Sequence, residues 1–70
     1  MRIDTFRSEV VNLATSLILK PFITRVYFVV DGIEYKAYDR VKTKRQGKYR
    51  LVNLTTYEEI LIEFKYPILY

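Results

Sequence analysis

One short stretch of this sequence combines two carboxylates and a lysine at a spacing that could carry acid–base or metal chemistry. Asp31, Glu34 and Lys36 form the pattern D-x-x-E-x-K, in which carboxylates could hold Mg²⁺ and the lysine could assist a nucleophile. Simpler roles account for the same residues, because Asp31 precedes Gly32 in a predicted turn and the other two alternate along a predicted strand. The chain also has neither His nor Cys, which are common catalytic and zinc-binding side chains. We therefore expect no enzyme activity, no metal site and no cofactor.

A second kind of chemistry, the binding of phosphate groups, is indicated by the distribution of charge. Residues 1–35 contain four basic and four acidic side chains, whereas residues 36–50 contain seven basic side chains and one acidic side chain. Residues 51–70 contain one basic and three acidic side chains, which brings the net charge of the chain to +4. The positive charge is therefore concentrated in the middle of the chain, where it can neutralise a polyanion.

The elements that must position these side chains begin with a helix. Apolar residues recur there at helical spacing, and they are Phe6, Val10, Leu13 and Leu17, with Ala14 and Ile18 beside them. Asp4 or Thr5 can serve as the N-cap. Pro21 disfavours a helical Lys20, so the helix should end near Leu19. A single apolar stripe on such a helix requires a sheet to cover it.

The sequence predicts a β-hairpin at Asp31-Gly32, which lies between two runs rich in β-branched and aromatic residues. The predicted pairs form one apolar face, and they are Val30 with Ile33, Phe28 with Tyr35, and Val26 with Ala37. Period-two alternation assigns to the other face Arg25, Tyr27, Val29, Glu34, Lys36 and Tyr38.

The second of these strands is predicted to continue, because the alternation persists to residue 44. The outward side chains would then include Arg40, Lys42 and Lys44, and the core-facing ones Asp39, Val41 and Thr43. A turn at Gln46-Gly47 would give the pairs Lys44 with Tyr49, Lys42 with Leu51, and Val41 with Val52. Gln-Gly is a weaker turn signal than Asn-Gly, and a slip of one residue would move every side chain to the opposite face.

Residues 57–66 fit either a helix or a strand. Thr55-x-x-Glu58 and Thr56-x-x-Glu59 both have the spacing of capping boxes that open a helix. The alternation of Ile60, Ile62, Phe64 and Tyr66 with their neighbours is instead typical of a half-buried strand that Pro67 ends. Isoleucine and aromatic enrichment favours the strand. The apolar tail (Tyr66, Ile68, Leu69 and Tyr70) either completes the core or docks on a partner.

The predicted fold is α+β. It is a single domain, 1–70, with an N-terminal helix packed on one face of an antiparallel sheet of three to four strands, in the order α-β-β-β-β. A chain of this size is near the lower limit for folding alone, so a homo-oligomer is a reasonable expectation. The N-terminus resembles no secretory signal, and no apolar stretch approaches the ~20 residues that span a bilayer. We expect a cytoplasmic protein with no membrane partner, of a composition that would suit a small archaeal or viral protein.

Cations and tyrosines together on an outward sheet face and a basic hairpin are typical of nucleic-acid binding, because cations neutralise phosphates and rings stack on bases. The predicted binding residues are Arg25, Tyr27, Lys36, Tyr38, Arg40, Lys42, Lys44, Arg45, Lys48, Tyr49 and Arg50. We expect a non-enzymatic module that binds DNA or RNA with low sequence specificity, since no helix offers the side chains that read base edges. The alternative is a protein-interaction module, such as a regulator, an inhibitor or a self-assembling subunit. In that case the basic hairpin docks on an acidic partner, or copies associate through the sheet edges or the apolar tail. Outward cations that only oppose edge pairing are the simpler structural interpretation.

Overall fold

The computed structural model describes residues 6–65, which form one helix and four strands. The helix α1 spans Ser8–Ile18, and the strands are β1 (Arg25–Val30), β2 (Ile33–Lys42), β3 (Gln46–Asn53) and β4 (Glu59–Lys65). The strands make a single antiparallel sheet in the order β1-β2-β3-β4, and α1 packs on one of its faces. The predicted α+β class and the α-β-β-β-β order are confirmed.

Helix α1 buries the residues that recur every four positions. These are Phe6, immediately before the helix, and Val10, Ala14 and Ile18 within it. Leu13, which the sequence assigned to the stripe, is 39% exposed, because the small Ala14 lies against the sheet in its place. The buried face of α1 therefore includes Ala14 in place of Leu13, and the small alanine side chain permits close approach of helix and sheet.

One of the two predicted ends of α1 can be compared with the structure, and it agrees. The C-cap is Leu19, which confirms the predicted end before Pro21. The N-cap is Arg7, whereas the predicted caps, Asp4 and Thr5, lie outside the described residues.

The β1–β2 hairpin has the predicted register at every position. Val30 pairs with Ile33, Phe28 with Tyr35 and Val26 with Ala37. Asp31 and Gly32 have φ angles of 53° and 77°, the positive values that a type I′ hairpin turn requires. On the helix side, Phe28 stacks on the buried Tyr35 with ring centroids 5.5 Å apart.

Strand β2 contains a bulge that the alternation did not predict. Tyr38 pairs with Arg50, but the next pair is Val41 with Lys48, and Asp39 between them has a φ of 57°. An extra residue in one strand reverses the alternation beyond it. Val41 is consequently 51% exposed, opposite Lys48.

The predicted faces of four residues in β2 are therefore wrong. Asp39 and Val41 were expected to face the core, but both are exposed on the side opposite α1. Arg40 and Lys42 do not share a face with Lys36 and Tyr38, since Lys42 is paired with Gly47, which is buried on the helix side. The bulge at Asp39 is the physical reason for all four corrections.

The β2–β3 turn lies at Lys44-Arg45 rather than at Gln46-Gly47. The Thr43 amide donates to the Gln46 carbonyl (2.8 Å), and the Thr43 hydroxyl accepts from the Gln46 amide (3.2 Å). Gly47 has a packing role instead, because a Cβ at this position would overlap the ring of Phe64 on the neighbouring strand.

The shifted register also corrects the predicted faces of β3. Tyr49 and Leu51 were expected to point outward, but both are fully buried beneath α1. Val52, which was expected on the core side, is instead paired with Lys36 on the opposite face. Because the predicted turn was placed at Gln46-Gly47, the prediction assigned the side chains of β3 to the wrong faces of the sheet.

Strand β4 confirms the preference for a strand in this region. Ile60, Ile62 and Phe64 pack against the core from its helix side. The two threonine-glutamate patterns open no helix, because the buried side chain of Asn53 binds the amides of Thr55 and Thr56 in a turn (2.8 and 3.1 Å). The apolar tail, including Tyr66, lies outside the described residues.

Candidate nucleic-acid interface

The sheet face that points away from α1, called here the outer face, carries six of the predicted binding residues. They are Arg25, Tyr27, Lys36, Tyr38, Lys48 and Arg50. With Lys65 the outer face has five cations, but it also has four carboxylates, those of Glu34, Asp39, Glu59 and Glu63. Cations and carboxylates are so nearly balanced that the face is only weakly attractive to a polyanion.

The aromatic rings of the outer face already contact charged groups of the same face. The ammonium of Lys36 lies 4.6 Å from the centroid of the Tyr38 ring and 5.6 Å from that of Tyr27, within the range of cation–π attraction. The Tyr38 hydroxyl donates to the carboxylate of Glu59, and this hydrogen bond raises the pKa of Tyr38. A base that stacked on the face of Tyr38 that Lys36 covers would have to displace Lys36.

Two further cations of the outer face, Lys48 and Arg50, have carboxylates beside them. The Arg50 guanidinium lies 3.6 Å from the carboxylate of Asp39. Lys48 is paired across the ladder with Glu63. The outer face therefore neutralises much of its own charge.

A second group of cations gathers at the end of the molecule that holds the β2–β3 turn. One nitrogen of Arg40 donates to the carbonyl oxygens of Ile18 (3.0 Å) and Lys20 (3.1 Å). This contact brings the C-terminus of α1 beside the bulged part of β2. We call the resulting group the basic end, and it consists of Lys20, Arg40, Lys42, Lys44 and Arg45.

The side chains of the basic end differ in their contacts. Arg40 satisfies the free carbonyls of the helix terminus and has a structural role. Lys20, Lys44 and Arg45 are exposed, and the ion pairs found between residues 6 and 65, Arg7 with Asp31 and Arg50 with Asp39, lie elsewhere. The exposed cations are thus available to an external anion.

The opposite end of the molecule is acidic. The guanidinium of Arg7 contacts Asp31, which raises the pKa of Arg7 and places the N-terminus of α1 beside the β1–β2 turn. The β3–β4 turn lies at the same end of an antiparallel sheet in this strand order. This acidic end holds Glu9, Asp31, Glu34 and Glu58. Negative charge near a helix N-terminus and positive charge near its C-terminus both match the helix dipole.

The basic end also holds the most exposed large apolar side chain of residues 6–65. Phe22 is 95% exposed and lines a shallow depression with Thr24, Arg40, Lys42 and Lys44. Its φ is 66°, a value that is disfavoured for a bulky residue.

The predicted site residues are thus divided between two surfaces, and one is removed from both. Arg40, Lys42, Lys44 and Arg45 belong to the basic end, while the other exposed residues stay on the outer face. Tyr49 is buried, and its hydroxyl oxygen lies 2.7 Å from the hydroxyl oxygen of Thr15. Burial raises the pKa of Tyr49, and the hydrogen bond with Thr15 lowers it by a smaller amount. Tyr49 therefore offers no surface for stacking.

Two residues of the basic end were missed in the sequence. Lys20 and Phe22 belong to the connection after α1, far in sequence from the charged hairpin. A signal was present at Lys20-Pro21, which marks the end of a helix. The sequence does not reveal that Arg40 binds that end.

The D-x-x-E-x-K pattern forms no cluster. Asp31 contacts Arg7 in its turn, whereas Glu34 lies on the outer face opposite Val29. Within residues 6–65, no three acidic side chains are grouped closely enough to hold a metal ion.

Comparison with known proteins identifies no relative of this chain. No protein-family model, curated protein or solved structure matches the chain. Helix α1 is too short to cross a membrane, and it is the only helix in the described part of the chain. The two charged ends and the outer face are therefore the features from which a function can be inferred.

Proposed function

We propose that this protein is a non-enzymatic nucleic-acid-binding module and that it binds through the basic end. The observation that carries the proposal is the grouping of five cations at one end, away from the carboxylates of the acidic end. The nearest carboxylates along the strands, those of Asp39 and Glu63, lie on the outer face beside Arg50 and Lys48. A phosphate backbone across this end would therefore meet several cations together.

The geometry of the basic end favours contacts to phosphate over contacts to base edges. Lys44 and Arg45 form the tip of a two-residue turn, and Lys20 follows the helix. The two lysines carry compact ammonium charges and Arg45 a planar guanidinium, all on long flexible stems that reach phosphate oxygens. Sequence specificity is expected to be low, since α1 lies on the sheet and cannot enter a groove.

The proposal is tested by two double variants that remove the same charge from different surfaces. Lys44→Gln with Arg45→Gln alters the basic end, and Arg25→Gln with Lys36→Gln alters the outer face. Each is titrated by fluorescence anisotropy against labelled single-stranded and duplex DNA and RNA at several salt concentrations. Loss of two phosphate contacts from the basic end should reduce the log–log salt slope by about 1.4 on single strands, while the outer-face variant keeps the wild-type slope.

Two results would overturn the proposal. One is the absence of binding by the wild-type protein at low salt. The other is a loss of slope in the outer-face variant that equals or exceeds the loss in the basic-end variant, which would mean that the basic end is not the principal interface. Urea unfolding of each variant serves as the control that the fold is intact.

A second candidate function is self-association through the outer face, in keeping with a protein-interaction module. The observation that favours it is the exposure of Tyr27, Val29, Val41 and Leu61, each between 51% and 58%, on a face that α1 does not cover. Exposed apolar side chains on an uncovered sheet face are typical of association surfaces, although here they are distributed over β1, β2 and β4. Light scattering decides the matter, since a monomer at all concentrations excludes this function. A cytoplasmic location remains a prediction from the sequence for either function.

A further inference from the structure

Phe22 occupies a backbone position that does not favour phenylalanine. The Ile23 amide donates to the Lys20 carbonyl (3.2 Å) and closes a four-residue turn in which Pro21 is second and Phe22 third. With a φ of 66° at the third residue, this is the pattern of a type II turn, where glycine or asparagine is preferred. The chain uses an aromatic residue there and leaves it 95% exposed. Neither the turn nor the core explains that choice.

The surroundings of Phe22 point to a ligand that is both aromatic and anionic. The depression beside its ring is lined by Thr24, Arg40, Lys42 and Lys44. A planar exposed ring next to several cations can bind a base by stacking while the cations contact the adjoining phosphates. Bases within a duplex are already stacked on both faces, so such a ring is useful only where a base is unpaired.

We propose that Phe22 is a stacking residue for an unpaired base and that the basic end binds single-stranded nucleic acid in preference to duplex. This inference rests on the proposed function and specifies its substrate class. An exposed phenylalanine among lysines is also compatible with an anionic membrane. We favour a base because the neighbouring Ile23 packs against the core, so that the exposed apolar side chains of this turn are those of Pro21 and Phe22 alone, which are too few to form a membrane-binding patch.

The described part of the chain contains a matched control for Phe22. Tyr57 is also aromatic, is 80% exposed and has a φ of 65°. It lies in the β3–β4 turn at the acidic end. A general effect of removing an exposed, strained aromatic residue should therefore appear equally at both positions, whereas stacking next to phosphate-binding cations should appear only at Phe22.

The experiment compares Phe22→Ala and Tyr57→Ala in anisotropy titrations with labelled oligothymidylate and with a DNA duplex. Phe22→Ala should weaken single-strand binding by about 5- to 150-fold, the range that corresponds to the loss of one stacked base. It should leave duplex binding within twofold of wild type, and Tyr57→Ala should leave both unchanged. Equal losses on single strand and duplex, or wild-type affinity of Phe22→Ala, would overturn the inference.

A spectroscopic reading comes from Phe22→Trp, since the chain has no tryptophan. Its fluorescence should be quenched by oligothymidylate and not by duplex, and Tyr57→Trp should show no quenching by either. Quenching at neither position would count against stacking.

Two comparisons distinguish a failure of the stacking role from a failure of the proposed function. If Lys44→Gln with Arg45→Gln reduces binding and Phe22→Ala does not, the proposed function stands and the stacking role is wrong. If phosphatidylserine vesicles bind the wild type in a Phe22-dependent way while oligothymidylate does not, the ligand is a membrane surface and both proposals are wrong.

Discussion

The position of Arg40 gives a sharp test of the structure, because the bulge at Asp39 decides whether its side chain is structural or solvated. Arg40 donates two hydrogen bonds to helix-terminal carbonyls, at 3.0 Å to Ile18 in a partly buried site and at 3.1 Å to Lys20 in an exposed one. We assign about 1.5 kcal/mol to the first bond, as for a charged donor, and about 0.5 kcal/mol to the second, which competes with water. Arg40→Ala should therefore lower the free energy of unfolding by about 2 kcal/mol.

The assay is urea unfolding followed by far-UV circular dichroism. With a slope of about 1 kcal/mol per molar urea for a domain of this size, the midpoint should fall by roughly 2 M. Arg40→Lys should lie between wild type and Arg40→Ala, since an ammonium lacks the planar guanidinium and reaches both carbonyls less well.

The control is Arg25→Ala, which removes an exposed cation from the outer face and should change stability by less than about 0.5 kcal/mol. If Arg40→Ala were as neutral as this control, Arg40 would point outward as uninterrupted alternation predicts. The bulge and the composition of the basic end would then both be wrong.

Two further predictions concern buried polar groups. Burial raises the pKa of Tyr49, so its contribution to stability is complete below the unfolded pKa of about 10 and is lost as pH rises through the folded pKa. Urea midpoints should accordingly fall more steeply above about pH 10 in wild type than in Tyr49→Phe, and parallel curves would contradict this. Asn53 is 2% exposed and accepts hydrogen bonds from the amides of Thr55 and Thr56, so Asn53→Ala should cost about 1–3 kcal/mol. Both amides should then exchange hydrogen faster, and unchanged exchange would refute the role of Asn53.

The parts of the fold that the sequence predicted correctly depend on local signals. Asp31-Gly32 fixes a two-residue turn, and the turn fixes every pair of the first hairpin without reference to the rest of the chain. The end of α1 before Pro21 is equally local. The residues that cover the sheet from α1 were also largely predictable, because their spacing records which face is buried.

The second hairpin could not be predicted because its geometry depends on contacts between distant residues. Asp39 tolerates a positive φ more readily than most residues, but nothing adjacent to it demands one. The bulge is stabilised where Arg40 reaches the end of α1, 20 to 22 residues earlier in the chain. Tyr49 likewise finds its hydroxyl partner on α1, 34 residues away. A tyrosine that can hydrogen-bond inside the core looks the same in sequence as one that stacks outside it.

The sequence accordingly predicted most of the residues of the candidate site, but it did not predict how the fold arranges them. The cluster of cations in residues 36–50 is real, but the bulge and the turn divide it between the outer face and the basic end. Lys20 and Phe22 join it only because the fold returns the chain to that end.

Because the basic and acidic ends lie at opposite ends of the molecule, the length of the molecule can be compared with the Debye screening length. The molecule is 33 Å long, whereas the Debye length is about 8 Å at physiological ionic strength and about 30 Å at 0.01 M. In physiological salt a polyanion near Lys44 would therefore not sense Glu58, and the net charge of the whole chain would understate the attraction that the proposed function requires. In dilute buffer the repulsion of the far end would be felt as well, so under the proposed function the charge separation would turn the basic end toward the polyanion before contact.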